Sequence, residues 1–263
     1  MKREMLRRKL SPRTVRTYLT YVKKFLLANK DKEPRQFSKK DVRAFLYGME
    51  ERDVSGSTLN VAHNALRFMM IDVLHKACYL KIRYSKTPKR IARHLTKEEV
   101  RMVLSVIKNP KHRLLVSLMY GAGLRVREVT RLRVDDLSFE ENIGWVRSGK
   151  GGKDRPFIIP QAIKEELKHL CGQERFWLFP GRNGALTVKS VQIVVKIAGK
   201  KAGVKHVHPH MFRHSFTTHL LESGLDVTSV QVLLGHVRPE TTLGYSHTTR
   251  PKLIAIKSPL DEI

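Results

Sequence analysis

Cysteine is nearly absent from this 263-residue chain: Cys78 and Cys171 are its only two, 93 positions apart. That separation makes no paired metal motif, and both read as buried thiols of a reducing compartment. Acidic side chains are scarce as well, with 24 Asp+Glu against 51 Lys+Arg, a formal net charge of +27 and a pI near 10.4. No apolar run approaches the roughly 18 residues of a membrane span, and the opening MKREMLRRKL has no apolar signal-peptide core. A membrane partner and export are therefore not expected. A glycine-rich turn with lysine is present, but Gly-x4-Gly-Lys-[Ser/Thr] between strand and helix is missing, which excludes ATP binding. Neither an internal repeat nor a low-complexity tract interrupts the chain.

The charge excess calls for a polyanion, and nucleic acid in the cytoplasm is the partner it fits. Residues 1–93 hold 24 basic and 8 acidic side chains, so the N-terminal part is the more uniformly basic one. The length suits two domains, each with its own core. The first, residues 1–84, reads as a helical DNA-binding domain. Ser11-Pro12 caps a helix with the stripe Val15, Tyr18, Leu19, Val22, Leu26. Ser38 and Asp41 open a second over Val42, Phe45, Leu46, Met49. Ser57 opens a third over Ala62, Ala65, Leu66, Met69, Val73, with His63, Arg67 and Lys76 on its other faces. Residues 85–93 read as a basic linker in which Lys86, Lys89, Arg90 and Arg93 track phosphates, so that both domains grip a duplex.

The second domain, 94–263, starts from the capping box Thr96-Lys97-Glu98-Glu99 ahead of Val100, Val103, Leu104, Ile107. A helix over 111–120 ends at Gly121-Ala122-Gly123, and another begins near Leu124. Residues 143–147 and 156–159, with the glycine-rich turn 149–154 between them, read as a β-hairpin. Helices return at 162–170, 188–201, 209–221 and 228–234. The fold class is mainly α with a small sheet.

Several polar side chains of this domain sit in contexts that hold them in place. Arg125 falls at a helix start after the Gly-Ala-Gly turn, where its guanidinium and free backbone amides converge on one phosphate; Glu128, three residues on, steadies it. Lys150 and Lys153 share the hairpin turn, and nothing physical separates them. Pro209 opens a helix whose stripe is Phe212, Phe216, Leu220, which turns His210 and Arg213 away from the core. His210 and His214 have zinc-helix spacing, but Met211 stands where a metalloprotease carries its glutamate, and no metal is expected. Gly235 caps a short helix with Val227, Val230 and Leu234 inward and leaves His236 just past its end. Tyr245, between Gly244 and Ser246-His247, has a partly exposed setting that the other tyrosines, at 18, 21, 47, 79, 84 and 120, lack.

Taken in order, Gly123-Leu124-Arg125-Val126-Arg127-Glu128, Gly149-Lys150-Gly151-Gly152-Lys153-Asp154-Arg155, His210-x-x-Arg213, Leu234-Gly235-His236 and Tyr245 resemble the tyrosine recombinase family, and the size and layout resemble its Xer branch. The resemblance covers residues 123–247 with five motifs in register; the N-terminal part is similar to the family's core-binding domain in length and charge. It implies that Lys150 is the catalytic lysine of the turn. It implies further that Tyr245 is the nucleophile, that Arg125 and Arg213 bind the scissile phosphate, and that His210 and His236 assist. No cofactor is implied. The implied partner is double-stranded DNA with an inverted-repeat site, bound by four protomers on two duplexes. The family's C-terminal tail, here 248–263 with Leu253, Ile254 and Ile256, docks on a neighbour or back on its own chain. The implied task is site-specific recombination that resolves chromosome or plasmid dimers, with a paralogue or regulatory partner left open. Integration, type IB topoisomerase action and DNA binding without catalysis are the alternatives.

Overall fold

Local capping explains most helix starts of the computed structural model, which describes residues 1–76, 93–147, 154–172, 176–234 and 256–263. The chain divides into two compact units, Met1–Arg90 and Ile91–Ile263. In the first, α1 (Lys2–Arg7) is followed by α2 (Pro12–Ala28), whose N-cap Ser11 accepts from the Thr14 amide. The Ser38–Asp41 capping box starts α3 (Lys39–Glu50). The third start shifts from its expected place: Ser55, not Ser57, accepts the Thr58 amide and caps α4 (Gly56–Arg67). The chain then widens into a π-helical turn, Phe68–Val73, which rotates Phe68, Met69 and Met70 into buried positions.

The core of this unit gathers Val22, Phe25, Phe37, Val42, Leu46, Ala62, Ala65, Leu66, Met69 and Met70. Phe25 takes the inward place expected of Leu26, which is 39% exposed. Edge-on rings of Phe37 and Phe45 surround Phe25 and explain the exchange. His63 is also buried rather than outward, because α4 is covered on more than one side.

In the second unit the Thr96–Glu99 capping box opens α5 (Lys97–Ser105), and Asn109 and Pro110 open α6 (Pro110–Gly121). From Leu114 to Gly121 every residue of α6 is buried, so this helix is the axis of the unit's core. α7 (Val126–Val129) follows a glycine turn. A three-stranded antiparallel sheet comes next, in the order β1 (Leu137–Ser138), β2 (Ile143–Val146), β3 (Arg155–Ile158), with Val146 opposite Arg155. β1 was not anticipated: two residues are too short to leave a periodic signal.

The remainder is α8 (Lys164–Cys171), the small pair β4 (Pro180–Gly181) and β5 (Gly184–Ala185), α9 (Val188–Lys201), α10 (Pro209–Glu222) and α11 (Val227–Leu234). In α11 Val230, Leu233 and Leu234 face inward, whereas Val227 is 59% exposed at the helix start and does not join them. The described tail folds onto its own unit. Ser258 Oγ donates to Gly121 O at 2.6 Å, and Leu260 is buried beside Gly121 and Pro160. The fold is mainly α with small antiparallel sheets, the expected class. Cys171 is half-buried, and Cys78 lies outside the described residues.

Candidate active site

Gly123 sets the geometry of the site. Its φ of +60° is a conformation that side chains disfavour, and a Cβ there would stand 2.5 Å from the Phe216 ring. The turn drives Leu124 fully into the core and leaves Arg125 as N-cap of α7, one residue ahead of the helix. The helix expected near Leu124 thus starts at Val126, and the Arg125 amide, expected to be free, is taken. The Arg125 amide donates to Glu128 Oε2 at 2.8 Å, while its Nη1 donates to Oε1 at 2.6 Å. The same carboxylate therefore holds both the backbone and the guanidinium of Arg125, as the spacing of the two residues suggested.

Arg213 departs from expectation. It is 3% exposed rather than turned away from the core, because two carbonyls at element ends receive it. Its Nη1 donates to Gly123 O at 2.6 Å and its Nη2 to Leu234 O at 2.8 Å. His210, one helical turn earlier, is exposed at the start of α10, whose inward stripe is Phe212, Phe216 and Leu220. Arg155, the last residue of the glycine-rich motif and not among the expected site residues, is buried beside them. Its Nη2 meets Glu128 Oε2 at 2.6 Å and its Nη1 donates to Leu233 O at 2.6 Å. A basic residue at the inward register of an apolar strand was the signal that could have found it.

The electrostatics follow from this crowding. Burial alone would raise the Glu128 carboxyl, but the Arg155 charge and the Arg125 amide and guanidinium hold it below its usual range. Burial, then Arg155 and Arg125, push the Arg213 guanidinium down to about 9, so it stays cationic at neutral pH. For His210, desolvation first and then Arg213, His208 and Arg125 push the imidazole down. The neutral ring is the form that accepts a proton. Tyr120, by contrast, is wholly buried; it shares a 2.8 Å hydrogen bond with His219 Nδ1, and burial raises its phenol, so it suits a core role. Tyr47, expected to lack an open setting, is 60% exposed.

The described residues thus bring Arg125, Glu128, Arg155 and Arg213 together, with His210 within reach of their charge. Lys150, His236 and Tyr245 lie outside the described residues, as do Lys86, Lys89 and Arg90. Arg93 is described, and it pairs with Glu99 at 2.6 Å and donates to Lys205 O at 3.1 Å. Arg147, just past β2, pairs with Asp154, just ahead of β3, at 3.1 Å. Among the described residues no group of three or more His, Cys, Asp or Glu is placed to hold a metal ion, and no helix is long and apolar enough to cross a membrane.

Residues 93–251 match the phage integrase family, and residues 1–78 match the phage integrase N-terminal SAM-like domain. The chain is 36% identical over 253 residues to the tyrosine recombinase XerA of Pyrococcus furiosus, covering 92% of this chain and 86% of that protein. It is 37% identical over 252 residues to XerA of Thermococcus onnurineus, covering 91% and 86%. An integrase/recombinase of Escherichia coli is 32% identical, covering 96% of this chain and 89% of its own. Among solved structures, XerH bound to palindromic difH substrate in a post-cleavage complex shares the fold with a TM-score of 0.73 at 22% identity, over 94% of this chain and 79% of that one. The crystal structure of XerA recombinase gives 0.52 at 24% identity, over 95% and 93%.

Proposed function

This chain belongs to the phage integrase family of tyrosine recombinases, and from that premise we propose that it cuts and rejoins DNA at one inverted-repeat site through a 3′-phosphotyrosyl intermediate on Tyr245. The observation that carries this reading is the cluster around Glu128, where the guanidiniums of Arg125, Arg155 and Arg213 face a single carboxylate. Such a site holds more positive charge than it neutralises internally. A phosphodiester gains negative charge on the way to a pentacovalent state, and preorganised cations stabilise that state more than the ground state.

Arg125, the most open of the three with 28% of its side chain exposed, is the group to meet the scissile phosphate, together with Arg213. Neutral His210 takes the Tyr245 phenolic proton as the oxygen attacks phosphorus. The P–O5′ bond breaks, Lys150 protonates the leaving 5′ oxygen, and His236 assists. A 5′-hydroxyl of a second strand then attacks the phosphotyrosine and returns the phenol. The bond energy stays in the phosphotyrosyl link, so the exchange uses no ATP. In this reading residues 1–84 form the core-binding domain, residues 85–93 the basic linker and residues 94–263 the catalytic domain. Four protomers act on two duplexes, alone or with a paralogue or regulatory protein, and the task is resolution of chromosome or plasmid dimers in the cytoplasm.

Covalent trapping tests the proposal. Fragmented DNA of the source organism is mixed with wild type or Tyr245→Phe, denatured in detergent, and the protein-linked ends are sequenced. Adducts from wild type alone, clustered at one inverted repeat, are the expected outcome. Scattered adducts would mean topoisomerase action, and intact binding with no adducts would mean a DNA-binding protein without this catalysis. Sites at the ends of a mobile segment would replace dimer resolution by integration.

A further inference from the structure

Arg155 occupies a buried strand position whose usual occupant is apolar. It opens β3 opposite Val146, its side chain is 8% exposed, and its Nε is buried with no hydrogen-bond partner among the described residues. A buried ion pair is roughly neutral in stability against a well-packed apolar residue, and a buried donor left unmade is a cost. Removing Arg155 alone would leave Glu128 and the Leu233 carbonyl a donor short, but an apolar pair in place of Arg155 and Glu128 would hold the strand as well. What it would not do is link three parts of the chain. Through Nη2, Arg155 holds Glu128, which in turn holds the amide and guanidinium of Arg125. Through Nη1 it binds the Leu233 carbonyl in the last turn of α11, next to the Leu234 carbonyl that takes Arg213. In the sequence Arg155 comes five residues after Lys150, and Leu234 precedes Gly235 and His236.

We propose that Arg155 is a positioning residue for strand cleavage: it fixes Glu128 against Arg125 and ties the end of α11 to the base of the lysine hairpin. In this role it acts through Arg125 and the α11 end rather than on phosphate. The inference rests on the recombinase reading above and deepens it.

The test uses the full chain and a duplex carrying the site recovered by trapping. Single-turnover adduct formation and DNA affinity are measured separately for Arg155→Gln, Arg155→Lys, Glu128→Gln and the Arg155→Gln/Glu128→Gln pair. Misplacing a phosphate ligand by about 1 Å costs about 100-fold in rate, so Arg155→Gln is expected to cleave about 100-fold slower with affinity changed less than about twofold. Arg155→Lys, whose single ammonium reaches one of the two partners, should recover about tenfold of that loss. The pair should be slower than the worse single variant only by what the Leu233 arm contributes, well short of the product of the two single effects, because the Arg155–Glu128 contact is shared.

A duplex with sulfur in place of the bridging 5′ oxygen needs no proton on its leaving group, so it should not rescue Arg155→Gln; rescue would assign the effect to Lys150 and overturn the route through Arg125. Cleavage by Arg155→Gln at the wild-type rate would overturn the proposal, and so would a loss of rate matched by loss of affinity and fold in both Arg155→Gln and Arg155→Lys. A DNA-free measurement stands beside these. Exchange of the Arg125 amide hydrogen should quicken by about tenfold or more in the folded Arg155 variants as its acceptor loosens; unchanged exchange would count against the proposal even if wild type makes no adduct, an outcome that by itself sinks only the recombinase reading.

Discussion

At the scale of the residue, His210 is the clearest case of a side chain whose chemistry is set by its neighbours. Partial desolvation, then the charges of Arg213, His208 and Arg125, hold its imidazole below the ordinary value of 6.5. A proton acceptor works in its unprotonated form, so a depressed value extends the competent range toward acid. The single-turnover cleavage rate should therefore stay level as pH falls through 6.5 and decline only below it. His210→Gln should lose about 10²- to 10⁴-fold in rate and the acid limb with it. An acid limb that persists unchanged in that variant would assign the titration to another group. His210 and its spacing to Arg213 were legible in the sequence because both belong to one helical turn. The burial of Arg213 was not, since it depends on carbonyls of Gly123 and Leu234 that reach α10 from elsewhere in the chain.

At the scale of the element, starts and stops were mostly readable because caps act within three or four residues. Ser11, Ser38 with Asp41, and Thr96 with Glu99 all cap where their side chains predict. The tail is a different matter. Its described end, Ser258 to Glu262, packs on its own unit through the Ser258–Gly121 hydrogen bond, the Asp261 carboxylate that accepts the Ala162 amide at 2.8 Å, and a 2.6 Å pair between Lys97 and Glu262. Leu260 is the buried anchor, lining a cavity with Leu104, Ile163 and Ile263. Leu260→Ala is expected to lower the unfolding free energy by about 2–4 kcal/mol, from lost transfer energy plus the cavity left behind. Denaturant titration measures it, and a change below about 0.5 kcal/mol would show that the tail contributes little to the fold.

For the whole molecule, the excess of basic over acidic residues is the property with the widest reach. If binding is mainly to phosphates, log affinity falls linearly with log salt, with about 0.9 of slope for each phosphate neutralised. Replacing Lys86, Lys89 and Arg90 together by Gln should then reduce that slope by roughly 3 while leaving the preferred site unchanged. An unaltered slope would remove those residues from the interface. Arg93 is left out of this set because it already serves Glu99 and the Lys205 carbonyl.

The helical class, the excess of positive charge and the spacing of Arg125 to Glu128 and of His210 to Arg213 were legible in the amino-acid order alone, because each rests on composition or on contacts within one helical turn. Tertiary structure alone decided that Glu128 serves three arginines, that Arg155 joins it from 27 positions away, and that Arg155 also reaches Leu233 from 78 positions away. Burying a guanidinium is tolerable only where distant segments supply acceptors at hydrogen-bond distance, and no local pattern announces where such segments will meet.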